Sequence, residues 1–213
     1  MRHLLIVALL LVPAQAAQLR ITAYGQAQLP KPVIHSAFDL LRQIFRASGI
    51  EIELVNGDPT SREAVLLTYP ATPRKGTERE AACRARRDIA LDILATTPAA
   101  RKGSMLGMAE PFAREGLNAR VFDDRILDAA MRQNRDHAAV LAHAIAHEIG
   151  HVLLRTTNHG QRGLMSAVWT DDEYGWIARS PMYFTGDQSR SMRAALSGEG
   201  CPAEVSAEVL LKK

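Results

Sequence analysis

Hydrophobic and polar positions alternate, then recur at helical spacing, then alternate again through the first hundred residues. In residues 19–27, Leu19, Ile21 and Ala23 fall on every second position, which predicts a strand with one buried face. Pro30 and Pro32 then open a helix: Val33, Ala37, Leu40, Leu41, Ile44 and Phe45 recur at helical spacing, with Asp39, Arg42, Gln43 and Arg46 opposite them. Gly49 is placed to end that helix. Ile50, Ile52 and Leu54 alternate with Glu51 and Glu53 in a second strand, and Ile89, Leu91 and Ile93 mark another over 88–94. Residues 64–69, 104–109 and 119–122 are shorter strand candidates. From Asp136, a good N-cap, the period becomes helical. Val140, Leu141, Ala144, Ile145, Ile149, Val152 and Leu153 are spaced for a long, largely buried helix. A glycine-marked turn, the acidic run Asp171-Asp172-Glu173 and a final helix over 187–196 follow. This order predicts an α+β domain, a sheet leaning on two helices with a mostly helical C-terminal part.

The first residues break this pattern. Met1-Arg2-His3 is a short basic stretch, residues 4–12 are an unbroken apolar run, and Pro13 precedes the small residues of Ala14-Gln15-Ala16. That is the three-part pattern of a secretory signal over 1–16, with an apolar run too short to anchor in a bilayer. The expectation is therefore a single domain over 17–213, secreted or periplasmic, with no stable membrane span after signal removal. A composition of 47% hydrophobic and 23% charged residues suits a globular domain with a real core. The net charge of +3, to which Arg2 contributes, gives no reason to expect a nucleic-acid partner. The basic residues Arg74, Lys75, Arg79, Arg84, Arg86 and Arg87 are interrupted by Glu78, Glu80 and Asp88 and carry no aromatic for base stacking. In an oxidising compartment Cys83 and Cys201 are candidates for one disulfide; two isolated cysteines do not make a metal site.

The chemistry lies on the long helix, in His147-Glu148-Ile149-Gly150-His151. Histidines four apart project from one helical face about one turn apart, so two imidazoles can grip one zinc ion from the same side. Glu148 is rotated roughly 100° from His147. It can lie beside the metal without binding it, as a general base that takes a proton from an attacking water and passes it to a leaving amine. Zinc needs a further protein ligand. His159, after Arg155-Thr156-Thr157-Asn158, is the first choice, with Asn158 suited to a left-handed turn. Glu173 is the competitor, although runs of three acids are usually solvated. His143 is too far along the axis from His151 for one ion to hold all three, so a packing role, or one supporting the ligands from behind, is expected for it. His35 and His137 have no metal spacing.

His147-Glu148-Ile149-Gly150-His151, then His159, then Gly163-Leu164-Met165, resembles the metzincin group of zinc peptidases. The likeness is nearest to small secreted HExxH proteins of acidobacterial type, through the stretch from Ala146 to Leu154 and on to Trp169. The resemblance implies a zincin-like domain with a twisted mixed sheet, a backing helix and an active-site helix. It implies zinc ligands His147, His151 and His159, general base Glu148, and Met165 as the hydrophobic floor. It also implies that residues 104–109 form the sheet's edge strand over the cleft, where an extended peptide or protein substrate would pair. Tyr174 and Tyr183 are candidates for stabilising an oxyanion. The chain departs from the family spacing: Leu154 and Thr157 stand where that motif has its glycine and third histidine, and His159 arrives two residues late. Two other functions share these features, a non-catalytic zinc-containing envelope binding protein and a zinc hydrolase of a non-peptide amide. Glu148 argues against the first, because a binding module has no need of a carboxylate there.

Overall fold

The computed structural model describes residues 16–25, 28–57, 87–99, 103–112 and 117–197. Residues 1–15 of the expected signal, the strand candidate at 64–69, Cys83 and Cys201 all lie outside the described residues.

Strand β1 (Ala17–Tyr24) leads into helix α1 (Lys31–Ala47) and returns as β2 (Ile50–Asn56). Pro32 stands in the first turn of α1, where its missing N–H removes no helical hydrogen bond. The helix buries Ile34, Ala37, Phe38, Leu41, Ile44 and Phe45, while Val33 and Leu40 stay half-buried. Gly49, at φ 72°, turns the chain directly into β2. Strands β3 (Asp88–Leu94), β4 (Gly107–Ala109) and β5 (Leu117–Phe122) complete one sheet of order β2-β1-β3-β5-β4. β2, β1, β3 and β5 run parallel in register Ala17↔Ile50, Arg20↔Asp88 and Ile89↔Leu117; β4 pairs antiparallel to β5, with Gly107 opposite Val121.

Alternation decides which face is covered. Leu19, Ile21, Ala23, Ile89, Leu91, Ile93, Ala119 and Val121 are buried towards the helices. Positions between them carry Arg20, which pairs with Glu53 across β1 and β2, and Asp92, which is buried and held by Arg120 at 3.0 Å.

β5 passes without a linker into α2 (Asp123–Arg132), a helix absent from the sequence reading. Thr97 donates to both carboxylate oxygens of Asp124, tying the end of β3 to the start of α2. Helix α3 (His137–Leu154) begins at Asp136, whose side chain accepts from the N–H of Ala139 at 2.8 Å. It is apolar almost all round, as a helix must be when it packs on α1, α2, β4, β5 and the last helix at once. Two further helices, α4 (Asp171–Ile177) and α5 (Gly186–Ser197), close the domain. Arg193 reaches back to the carbonyl of Ser48 at 2.6 Å, and Ser189 to the Ser48 hydroxyl at 3.0 Å. This is the expected α+β architecture, with α3 laid across the sheet beneath the β4 edge. No helix among the described residues is long and apolar enough to cross a membrane.

Candidate metal centre

The three histidines singled out in the sequence converge. His151 Nε2 lies 3.0 Å from His147 Nε2 and 3.1 Å from His159 Nε2. The first two come from one face of α3. The third is delivered by the segment after it, and that delivery depends on how α3 ends. Arg155 takes the left-handed conformation at φ 51°, the role expected of Asn158. The chain turns there because the N–H of Thr156 donates to the His151 carbonyl at 3.2 Å. The carbonyl of Thr156 in turn accepts from His151 Nδ1 at 2.7 Å. This early turn leaves four residues to bring His159 back to its partners, which accommodates the altered spacing.

The donor chemistry suits a cation. His147 Nδ1 donates to the carbonyl of Leu164 at 2.8 Å, as His151 Nδ1 does to Thr156, which fixes both rings with unprotonated Nε2 atoms directed inward. Burial pushes the His147 imidazole down to about 4 and that of His151 below its ordinary value, so both are neutral bases at physiological pH. Lone pairs therefore face one another at 3.0 Å, an arrangement that is repulsive until a positive ion sits between them. Tetrahedral zinc with bonds of about 2.0–2.1 Å spaces its nitrogen ligands by roughly 3.3–3.4 Å, close to what is found. The residues present fit zinc.

Glu148 lines the same cavity of about 410 Å³, which opens between residues 104–109 and α3. Only 7% exposed, its carboxyl is pushed up by burial to about 8. A divalent cation on the neighbouring imidazoles opposes that effect and favours the ionised form. The edge strand is pressed against it: a Cβ built on Gly107 would lie 2.8 Å from both Cγ and Oε1 of Glu148 and 2.6 Å from the Arg120 carbonyl oxygen.

Met165, expected as the floor of the site, stands in the turn after His159. Ser166 N–H donates to the Gly163 carbonyl at 3.0 Å and Gly160 N–H to the Met165 carbonyl at 2.8 Å. Met165 is buried against the helix at Gly150, where an added Cβ would come within 2.6 Å of Sδ and 2.8 Å of a Phe184 ring carbon. Gly150, between the two helical histidines, is what lets Met165 and Phe184 approach α3.

The other candidates separate. Glu173 stands outside the histidine cluster; it caps α4, accepting from the N–H and hydroxyl of Thr170. His143 is fully buried, donating from Nδ1 to Ala139 and accepting at Nε2 from the N–H of Met182, so its role is to pin residues 181–185 to α3. His137 pairs with Asp123 at the start of α2. Tyr174 lines the cavity, whereas Tyr183 meets Gln43 of α1 and belongs to another part of the surface. The sequence reading missed Gly107 and the two carbonyls that orient the rings. Backbone acceptors leave no mark in residue identity, but a glycine inside a short strand is a recognisable sign of close approach.

No protein-family model and no curated protein matches the chain. Among solved structures it is similar to a zinc-dependent peptidase from Methanocorpusculum labreanum, with TM-score 0.51 and 15% identity over 81% of this chain and 99% of that one. It is also similar to an archaemetzincin from Methanopyrus kandleri, with TM-score 0.52 and 15% identity over 88% of this chain and 99% of that one. At such identity the likeness establishes a shared fold, and nothing more.

Proposed function

We propose that the chain is an extracytoplasmic zinc-dependent peptidase, with His147, His151 and His159 as metal ligands and Glu148 as general base. The observation that carries this reading is the convergence of three imidazole Nε2 atoms beside a buried carboxylate at the foot of an edge strand. When bound, zinc supplies Lewis acidity to the scissile carbonyl and to the attacking water. Glu148 takes the proton of that water and returns it to the leaving amine. Strand β4, at the end of the sheet, offers backbone groups to an extended peptide laid along it, which orients the scissile bond over the histidines. The cleft walls supply Met105, Leu106, Met108, Pro111, Val168 and Trp169, so peptides with apolar side chains around the scissile bond suit it best. Export rests on the signal pattern of residues 1–16, after which β1 begins at once.

The test is bound zinc and cleavage of a mixed peptide library for the wild type, Glu148→Ala and His159→Ala. Glu148→Ala should hold zinc and lose cleavage, and His159→Ala should lose zinc. Undiminished cleavage by Glu148→Ala would remove its role. A wild type that binds zinc tightly yet cleaves no peptide would favour a binding protein or a different amide substrate.

A further inference from the structure

A second buried carboxylate stands beside the metal centre without touching it. Glu173 is 2% exposed, and both its oxygens are directed at hydrogen-bond donors. Oε2 accepts from the N–H of Thr170 at 2.9 Å and its hydroxyl at 2.5 Å, completing a capping box on α4. Oε1 does something a helix cap does not require: it accepts from the N–H of Gly163 at 3.2 Å, ten residues earlier in the chain. Gly163, at φ 84°, opens the turn that closes on Ser166. The next residue is Leu164, whose carbonyl receives His147 Nδ1 at 2.8 Å and Trp169 Nε1 at 3.3 Å.

We propose that Glu173 is a positioning residue for the metal, holding the Gly163–Ser166 turn so that the Leu164 carbonyl keeps His147 in its Nδ1–H tautomer with Nε2 directed at the ion. This rests on the reading of His147 as a zinc ligand. The relay needs a carboxylate. Three donors converge on two oxygens, and an amide offers one oxygen and an NH₂ group that would oppose an N–H. Glu173→Gln therefore gives up either the α4 cap or the Gly163 contact. Glu173→Asp keeps the charge but is one methylene too short to reach both. Thr170→Ala removes the hydroxyl of the cap and leaves the contact to Gly163, which makes it the control for plain loss of helix stability.

The experiment measures zinc affinity by chelator competition, the visible spectrum of the cobalt-substituted protein, and the His147 Nδ1–H proton resonance of the metal-free protein. Glu173→Gln should bind zinc roughly 10–100-fold more weakly, as losses of partners behind a ligand do. It should also shift the cobalt bands and lose the Nδ1–H resonance through exchange with water. Thr170→Ala should lower Tm and leave all three readouts near wild type. If Glu173→Gln fails to fold, Glu173→Asp is held to the same expectations. A folded Glu173 variant with wild-type affinity, spectrum and resonance would overturn the proposal, as would Thr170→Ala changing all three as much as Glu173→Gln does. If the wild type binds neither zinc nor cobalt, it is the metal reading that has failed. The resonance then decides the relay alone: its loss in the Glu173 variants supports it, and its survival overturns it.

Discussion

His147 and His151 approach to 3.0 Å between Nε2 atoms while the Nδ1–H of each is bonded to a backbone carbonyl. Neither ring can turn its proton inward without breaking a bond of 2.7–2.8 Å, so the metal-free protein carries opposed lone pairs in a largely buried site. Zinc between the imidazoles would relieve that opposition and so favour the folded state, in which they converge. At a free concentration 100 times Kd it should add about 2.7 kcal/mol of stability, which for a domain of this size is about 5–10 °C in Tm. A thermal melt titrated with zinc checks this, and His159→Ala should flatten the response. A wild-type Tm indifferent to zinc and to chelator would count against the site.

The metal-free protein should have its own pH profile, because Glu148 is shifted one way and His143, His147 and His151 the other. Glu148 is pushed up to about 8 in the folded chain, so between pH 4.5 and 8 the folded state keeps a proton that the unfolded state has released. Stability from this group falls as pH rises through that window, by about 1.4 kcal/mol per pH unit where the difference is one full proton. His147 is pushed down to about 4, so between pH 4 and 6.5 the unfolded state holds the extra proton and stability falls as pH drops. His143 and His151, shifted in the same direction by burial, add to that acid-side loss. The metal-free protein should be most stable near pH 6.5. Denaturant midpoints from pH 5 to 9 in chelator would show it. Glu148→Gln should erase the decline above pH 6.5, and a decline parallel to wild type would refute the assignment.

Three glycines should respond differently to one added methyl group. At Gly107 the methyl meets the Arg120 carbonyl oxygen at 2.6 Å and Glu148 at 2.8 Å. The contact with the backbone oxygen forces β4 away from β5 at this point, and the contact with Glu148 displaces that side chain. Gly107→Ala should keep zinc and lose up to about 100-fold in turnover, the scale of an ångström's misplacement of a catalytic group. At Gly150 the methyl meets Met165 Sδ at 2.6 Å and a Phe184 ring carbon at 2.8 Å, an overpacking cost of about 1–3 kcal/mol. At Gly175, inside α4, its nearest neighbour is Arg179 Nη2 at 3.7 Å, so Gly175→Ala should stabilise by about 0.5–1 kcal/mol. Tm and turnover for the three variants give the comparison; equal losses in all three would show that local space does not govern them.

Periodicity made the sheet and the long helix legible because burial on a regular element repeats at a fixed interval. Strand β3 and the cap at Asp136 stand where the pattern places them. The same pattern missed α2, because β5 runs straight into it: Phe122 ends the strand and caps the helix, with no turn residue between. Asp123 and Asp124 in its first turn were the available signal. The three converging histidines were legible because metal chemistry restricts residue type and spacing. Glu173 was visible as a candidate only by type; its work is done through Gly163, and nothing in the chain between 163 and 173 says that these two meet. His143 shows the reverse case. It lies on the same stripe as His147 and His151, but Ala139 and Met182 occupy both its nitrogens.

The end of α3 offers a last prediction. Arg155 sits at φ 51° and ψ 50°, a conformation that costs a residue with a Cβ about 1–2 kcal/mol. Its side chain is exposed, so the strain is held by the backbone: Thr156 is bonded to His151 at both its N–H and its carbonyl, and those bonds require the turn. Arg155→Gly removes the strain but gives the unfolded chain more freedom, an offset of about 0.5–1 kcal/mol. The net should be stabilisation of up to about 1 kcal/mol, with zinc affinity and turnover unchanged because the His151–Thr156 bonds persist. Arg155→Val should act oppositely, since a β-branched side chain tolerates this conformation least. It should lower Tm and, by loosening Thr156 from His151, weaken zinc binding as well. Should Arg155→Gly destabilise the protein by 1 kcal/mol or more, the left-handed turn would not be the conformation that delivers His159 in solution.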